Sequence, residues 1–282
     1  MAEFFYERLD GAADRAVYRS AEATQGPWST GTQHGGPPSA LALREIEARA
    51  PAEGGHIARL AVDFLAPVPV APLTVRTEIL KPGKRARLLA AEVLAEGRTV
   101  LTARAWWRRQ VPGLVPEVPD PASAVPFPDP DTLAAKEPDD ELSRFLDRGW
   151  IHDMEFRYVS GGPGEAGPCR VWVRPRSPLI AGEPTSPTQR AVLIADGSSG
   201  VSSALDFRTH LFSNLDLNLT FLRVPEGRWI GLDALSVLDA AGGGSTVTRL
   251  GDRRGVCGHV MQSLYVEPHG PVPAPFGSTT VP

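Results

Sequence analysis

The sequence predicts an α+β protein in which one plan, a strand, a helix and then an antiparallel meander, is written twice. Three observations predict it. Each half carries a proline-marked helix start followed by a helix-forming run, at Pro37-Pro38 and at Ser186-Pro187. Each helix is followed by four strand candidates. A phrase after the helix also recurs, as Asp63-Phe64-Leu65-Ala66-Pro67 and Thr220-Phe221-Leu222-Arg223-Val224-Pro225. A helix in such a pattern buries its apolar face against the curved sheet that follows it.

In the first half, Ala16–Thr24 reads as a strand, and the glycine-rich loop Gly31-Thr32-Gln33-His34-Gly35-Gly36 leads into the helix. Proline suits a first helical turn, where its missing amide is not needed. The helix runs from Pro38 to about Ala50 through Ala, Leu and Glu. Ala58–Leu65, Leu73–Leu80, Arg87–Ala95 and Thr99–Arg108 follow as strands, the last three joined by tight turns at Lys81-Pro82-Gly83-Lys84 and Glu96-Gly97-Arg98. Eight prolines lie between Val111 and Glu141. Each removes an amide donor and biases its predecessor toward extended geometry, so the segment reads as a surface linker. In the second half, Met154–Val159 and Arg170–Arg174 read as strands and the helix is expected to continue through Ala191–Leu205. Leu215–Arg223, Trp229–Leu238, Ser245–Leu250 and Val256–Val266 complete the meander. The expected organisation is therefore a first repeat over 1–110, a linker over 111–141, a second repeat over 142–268 and a loose tail over 269–282.

Composition narrows the function. Hydrophobic residues make up 42% of the chain and charged residues 22%, which allows a full core and argues against global disorder. A formal charge of −4 and a pI near 5.9 argue against a nucleic-acid binder, which carries a basic stripe. The start, Met1-Ala2-Glu3-Phe4-Phe5, is acidic where a signal peptide is basic, and no apolar run reaches membrane-spanning length. Cys169 and Cys257 are far apart and lack metal-ligand spacing, and read as reduced, partly buried thiols. The six histidines are scattered and no HExxH occurs, so no metal is expected, nor any cofactor. Gly197-Ser198-Ser199-Gly200 has the wrong spacing for a nucleophile elbow. Gly242-Gly243-Gly244-Ser245-Thr246 lacks the lysine of a phosphate loop. A cytoplasmic protein with no nucleic-acid or membrane partner is expected.

The stretch Gln33-His34-Gly35-Gly36-Pro37-Pro38-Ser39-Ala40-Leu41 resembles the first-repeat helix start of type II acyl-CoA thioesterases. Asn214-Leu215-Asp216-Leu217, Arg223 and Gly227-Arg228-Trp229-Ile230-Gly231-Leu232 resemble the second-repeat strands of that superfamily. Gln262-Ser263-Leu264-Tyr265-Val266 resembles its final strand. The resemblance spans most of residues 1–268 and implies a tandem (double) hot-dog fold, two long helices each wrapped by a curved antiparallel sheet. It also implies hydrolysis of an acyl-CoA or acyl-carrier thioester, a place in fatty acid metabolism, and a homodimer. Carried over position by position, the water-activating trio becomes Asp196, Asn214 and Gln262. The family has a hydroxyl residue where Asn214 stands, and Asn218 and Thr220, at period two on the same strand face, are the fallbacks.

Read by themselves, the residues allow these roles and leave alternatives open. Asp196 follows an apolar helical turn, so it is expected to be partly buried, where a hydrogen-bonded carboxylate serves as a base. The alternative, a local hydrogen-bonding residue at a frayed helix end, stays open on the residues alone. Gln262 sits in an apolar strand where the first half has alanines, Ala103-Arg104-Ala105, and its amide needs partners that a held water could supply. A solvent-facing glutamine is the alternative. Asn214 could equally be a turn residue. His34, Gly35 and Gly36 are candidates for substrate contact, with the Gly36 amide at an unpaired helix start able to meet an oxyanion. His34 could instead make only loop contacts. Lys81, Lys84, Arg85 and Arg87 could attract coenzyme A phosphates, although such hairpin clusters are more often solvated. A thiolate leaves readily, its thiol titrating near ~8.5, so no strong general acid is required. A non-catalytic acyl-binding protein and an enoyl-thioester hydratase are the rival readings; no hydratase motif is present.

Overall fold

Along the strands Arg98–Arg109, Gly243–Asp252 and Gly255–Pro268, buried and exposed residues alternate over most of their length, so the sheet turns one face to the helices and the other outward. The computed structural model describes residues 4–12, 14–51, 53–121, 127–136, 147–162 and 164–268. The first half holds β1 (Tyr6–Ala12), β2 (Arg15–Ser20), α1 (Gly36–Arg49), β3 (Gly55–Phe64), β4 (Leu73–Lys81), β5 (Ala86–Ala95) and β6 (Arg98–Arg109). The second half holds α2 (Gly149–Asp153), β7 (Met154–Gly162), β8 (Glu165–Pro175), α3 (Pro187–Ala195) and α4 (Ser198–Val201). It continues with β9 (His210–Asn214), β10 (Asp216–Phe221), β11 (Ile230–Leu238), β12 (Gly243–Asp252) and β13 (Gly255–Pro268).

The thirteen strands of the described residues join one antiparallel sheet in the order β1-β2-β4-β5-β6-β3-β10-β13-β12-β11-β8-β7, with β9 also on β13. The halves meet where β3 pairs with β10. Read outward from that seam the two sides correspond residue by residue. Ala61 faces Arg104, then Ala90, then Glu78. Asn218 faces Met261, then Val247, then Leu235. Each residue of the second set lies 157 positions after its counterpart in the first.

Helices α1 and α3 pack against each other on the inner face, antiparallel. At one end Glu47 accepts hydrogen bonds from Ser186 Oγ at 2.9 Å and Gln189 Nε2 at 2.7 Å. Those two residues form the capping box that starts α3. At the other end the start of α1 meets the end of α3, and there the candidate site lies. The core between helices and sheet is continuous across both halves, from Leu41, Leu43 and Ile46 to Val192, Leu193 and Ile194.

Three sequence expectations need correction. The second helix is not long: it ends at Ala195, and the short α4 follows after a break, where continuation through Leu205 was expected. Gly197 and Ser198, poor helix formers, stand at the break. The opening strand is a hairpin, β1 and β2, with Glu22–Thr24 in a 3-10 turn. As an edge strand β1 is mostly exposed and polar, which hid it. The strand expected at Leu215–Arg223 is preceded by a separate strand, β9.

Residues 127–133 of the proline-rich segment lie pinned on the outer face of the second half. Trp172 points outward between the buried Val171 and Val173 and is covered by Phe127 at a ring distance of 4.9 Å. Trp172 Nε1 donates to Pro128 O at 2.8 Å, and Arg157 Nη1 to Pro130 O and Leu133 O. The rest of the expected linker, 122–126 and 137–141, and the expected tail, 269–282, lie outside the described residues. Cys169 and Cys257 are buried free thiols, which burial pushes up to about 12.

Two stability measurements follow from this packing. Glu47→Ala leaves the α3 cap without its partner and should cost about 1–3 kcal/mol, read from the urea midpoint. Burial, helped by the neighbouring Arg108 cation, holds the His56 imidazole below its ordinary value. The folded state therefore keeps His56 neutral while the unfolded chain takes up its proton near ~6.5. The contribution of His56 is intact above that pH and is lost as pH falls below it. Urea midpoints at pH 7.5 and 5.5 should fall less for His56→Gln than for the wild type.

Candidate active site

A helix leaves its last four carbonyls without intrahelical partners, and α3 ends inside the protein, where water cannot serve them all. Each finds a specific donor. Leu193 O accepts from Trp150 Nε1 at 3.0 Å. Ile194 O accepts from Gly197 N at 3.0 Å, a tightened last turn. Ala195 O accepts from Ser198 Oγ at 2.7 Å. Asp196 O accepts from Gln262 Nε2 at 3.2 Å, while Gln262 Oε1 takes the Ser199 amide at 3.2 Å on the far side of the break. Gln262 is fully buried. Its amide bridges the gap between α3 and α4 and keeps one N–H and one lone pair for a further partner.

This termination presents Asp196 at the helix end with its residue only 4% exposed. Asn214 Nδ2 donates to Asp196 Oδ1 at 2.8 Å. Asn214 reaches it because of a bulge. It lies opposite Leu264 on β13, whereas Asn218 lies opposite Met261, so four residues on one strand span three on the other. The Asp216 carboxylate holds the bulge, accepting the Ser263 amide at 2.7 Å and Asn218 Nδ2 at 2.9 Å. The extra residue reverses the alternation: beyond it Leu217, Leu219 and Phe221 are buried, and Asn218 and Thr220 turn to the other face. The fallback residues are thereby corrected, since they do not share the face of Asn214.

The first half supplies the rest. His34 Nδ1 lies 2.8 Å from Asp196 Oδ2. The Gly36 amide lies 3.2 Å from the same Nδ1, so this one ring nitrogen faces both the carboxylate and the start of α1. A β-carbon on Gly35 would stand 2.9 Å from both Asp196 carboxylate oxygens and 2.7 Å from Phe64 Cζ. Glycine there lets the loop lie flush on the carboxylate. Gly36 abuts Leu193 O just as closely. Pro37 and Pro38 carry no amide hydrogen, which leaves the Gly36 N–H as the donor at the start of α1.

All six candidate residues, Asp196, Asn214, Gln262, His34, Gly35 and Gly36, thus converge. The sequence reading missed Trp150, which stacks on His34 with ring centroids 3.9 Å apart and planes 5° apart, and Phe64 at Gly35. Nothing marks Trp150 in the sequence, since it follows the proline-rich segment and lies far from both repeats' motifs. The basic cluster is partly used locally: Lys81 packs over Trp106 and Arg87 Nε donates to Gly83 O. Among the described residues no group of three or more His, Cys, Asp or Glu is placed to hold a metal.

The correspondence of the halves shows that, among the described residues, this constellation occurs once. The pair Asn214 and Leu264 matches Ile57 and Trp107. Gln262, one position after Met261, matches Ala105, one after Arg104. Apolar side chains therefore stand in the first half where the second has amides.

Two family models match the chain: the acyl-CoA thioesterase N-terminal domain over residues 24–108 and the acyl-CoA thioesterase C-terminal domain over residues 120–266. No curated protein matches significantly. Among solved structures, a proposed thioesterase II from Thermobifida fusca is 18% identical with a TM-score of 0.72, covering 94% of this chain and 96% of its own. An acyl-CoA thioesterase II from Mycobacterium marinum is 18% identical at 0.66, covering 93% and 96%. A conserved protein of unknown function with a hot-dog fold from Alicyclobacillus acidocaldarius is 16% identical at 0.66, covering 94% and 96%. The chain has the hot-dog fold that these likenesses share.

The contact at Gly35 gives a direct test of the geometry. Gly35→Ala should destabilise the fold by about 1–3 kcal/mol through overpacking. Gly31→Ala, where a β-carbon meets only Ser29 Oγ at 3.5 Å, should leave the urea midpoint nearly unchanged.

Proposed function

The chain belongs to the acyl-CoA thioesterase family, and we propose that Asp196 is the base that activates water as it hydrolyses acyl-CoA thioesters. The observation that carries this reading is a buried carboxylate held at both oxygens, by Asn214 and by His34, at the closed end of a helix. Such a group keeps lone pairs for a water while its orientation is fixed.

In the reaction the water oxygen attacks the thioester carbon and its proton passes to Asp196. The remaining Gln262 N–H and the Asn214 carbonyl oxygen orient that water. Negative charge grows on the former carbonyl oxygen, where the Gly36 amide at the start of α1 meets it. The tetrahedral intermediate collapses, the C–S bond breaks, and coenzyme A leaves as a thiolate that takes up the proton from Asp196. The weak basicity of a thiolate lets this happen without a strong acid in the site. His34 and Gly35 bound the place of the acyl carbonyl.

A second reading rests on the 2.8 Å contact between His34 Nδ1 and Asp196. There Asp196 orients His34, and the other ring nitrogen removes the proton from water. The two readings separate on the pH dependence of kcat, since only the second has turnover require an unprotonated imidazole.

The architecture is read as a tandem hot-dog, supported by the constant 157-residue correspondence of the two sides of the sheet and by the pairing of α1 with α3. A homodimer working on fatty acyl thioesters in the cytoplasm fits the same family. Leu235, Val247 and Met261, exposed neighbours across β11, β12 and β13, are the surface that supports association.

The test is release of free thiol from short, medium and long acyl-CoAs. Asp196→Asn should lower kcat by about 10²- to 10⁴-fold with the fold intact, and Gln262→Ala and Asn214→Ala by less. Wild-type turnover in Asp196→Asn would remove the carboxylate from the mechanism. Hydration of an enoyl-CoA, or binding without turnover, would favour the rival readings.

A further inference from the structure

Trp150 makes no hydrogen bond to Asp196, Asn214 or Gln262, yet it contacts both His34, which meets the Asp196 carboxylate, and the end of α3 from which Asp196 projects. It lies on α2, is 3% exposed, and joins the two halves through four contacts. Its backbone amide donates to Gln25 O at 2.9 Å, on the loop that leads to His34. Its indole N–H donates to Leu193 O at 3.0 Å, the carbonyl that the tightened last turn of α3 leaves free. Its ring edge fills the space a β-carbon on Gly197 would need, 2.5 Å from Cη2. Its face covers the His34 ring at 3.9 Å, parallel within 5°.

We propose that Trp150 is a positioning residue for the hydrolysis: it fixes the plane of the His34 ring so that Nδ1 stays on Asp196, and it locks the helix end from which Asp196 projects. The inference rests on the reading of Asp196 and His34 as the reaction centre. An imidazole turns freely about its terminal torsion unless its faces are packed. The rotation that would break the 2.8 Å contact with Asp196 drives the imidazole out of parallel and into the indole. The second anchor is separate from the first. The indole N–H holds Leu193 O, and the ring against Gly197 prevents α3 from winding on past Asp196. Stacking sets the partner of the carboxylate, and the hydrogen bond sets its origin.

Two substitutions divide these roles. Trp150→Leu removes both ring face and donor, and Trp150→Phe keeps a face and removes the donor. Each is first checked for fold by circular dichroism and urea midpoint. Trp150→Leu should lower kcat about 10- to 100-fold with KM changed less than about threefold, and should displace the pH profile of kcat. Trp150→Phe should restore most of the lost kcat. Independently of turnover, the His34 Nδ1–H signal in a nitrogen-15 proton spectrum, assigned by its absence in His34→Gln, should be sharp in the wild type. It should broaden or vanish in Trp150→Leu. A folded Trp150→Leu with the wild-type pH profile and an unchanged His34 signal overturns the proposal. Should Trp150→Leu fail to fold, Trp150→Met, which fills more of the space without a ring face, carries the test, since a signal and profile identical to wild type together with a lowered urea midpoint assign Trp150 to structure alone. If Asp196→Asn and His34→Gln leave turnover intact, the reaction-centre reading fails, while the His34 signal still reports whether Trp150 orders that ring.

Discussion

A helix that stops inside a protein must find partners for its last carbonyls, and the site is assembled from the groups that supply them. Trp150, Gly197, Ser198 and Gln262 each serve one carbonyl of α3. Unserved, such groups would cost on the order of 1–3 kcal/mol apiece, enough to drive the helix onward through Gly197. The break exists because these donors are present, and Asp196 points into the site because the break exists. Gln262 has a structural task in this arrangement whatever it does for water.

The duplicated frame gives the asymmetry its meaning. The two sides of the sheet share their register, so the matching positions are known: Ile57 against Asn214 and Ala105 against Gln262. One half keeps apolar residues there and contributes packing. The other spends the same positions on amides that have no apolar use. The first half is not idle, since it delivers His34, Gly35 and the start of α1 to the same carboxylate. Each half therefore holds what the other lacks.

Much of this was legible in the sequence. The alternation within β4, β5, β6, β11, β12 and β13 and the turns between them locate the meanders, because buried and exposed positions follow one another at period two. Asp196 and Gln262 stood out as polar residues among apolar neighbours. Other features were hidden for identifiable reasons. Strand β1 is an exposed edge with no apolar alternation to reveal it. The bulge at Leu215 depends on the Asp216 side chain capturing a backbone amide from another strand, which is a tertiary event. The early end of α3 could be suspected from Gly197 but not located, since its partners lie 43 residues before and 66 after in the chain. Trp150 was invisible because its role lies in what it stacks upon.

The division of the proposed reaction centre between halves has a consequence for the life of the chain. His34 and Gly35 are synthesised long before Asp196, Asn214 and Gln262, and the carboxylate is held at both oxygens only after β3 has zipped to β10 and α1 has settled against α3. On the proposed reading of the site, a chain whose halves have not docked lacks the paired carboxylate, so turnover is expected to appear only once the two lobes have found one another.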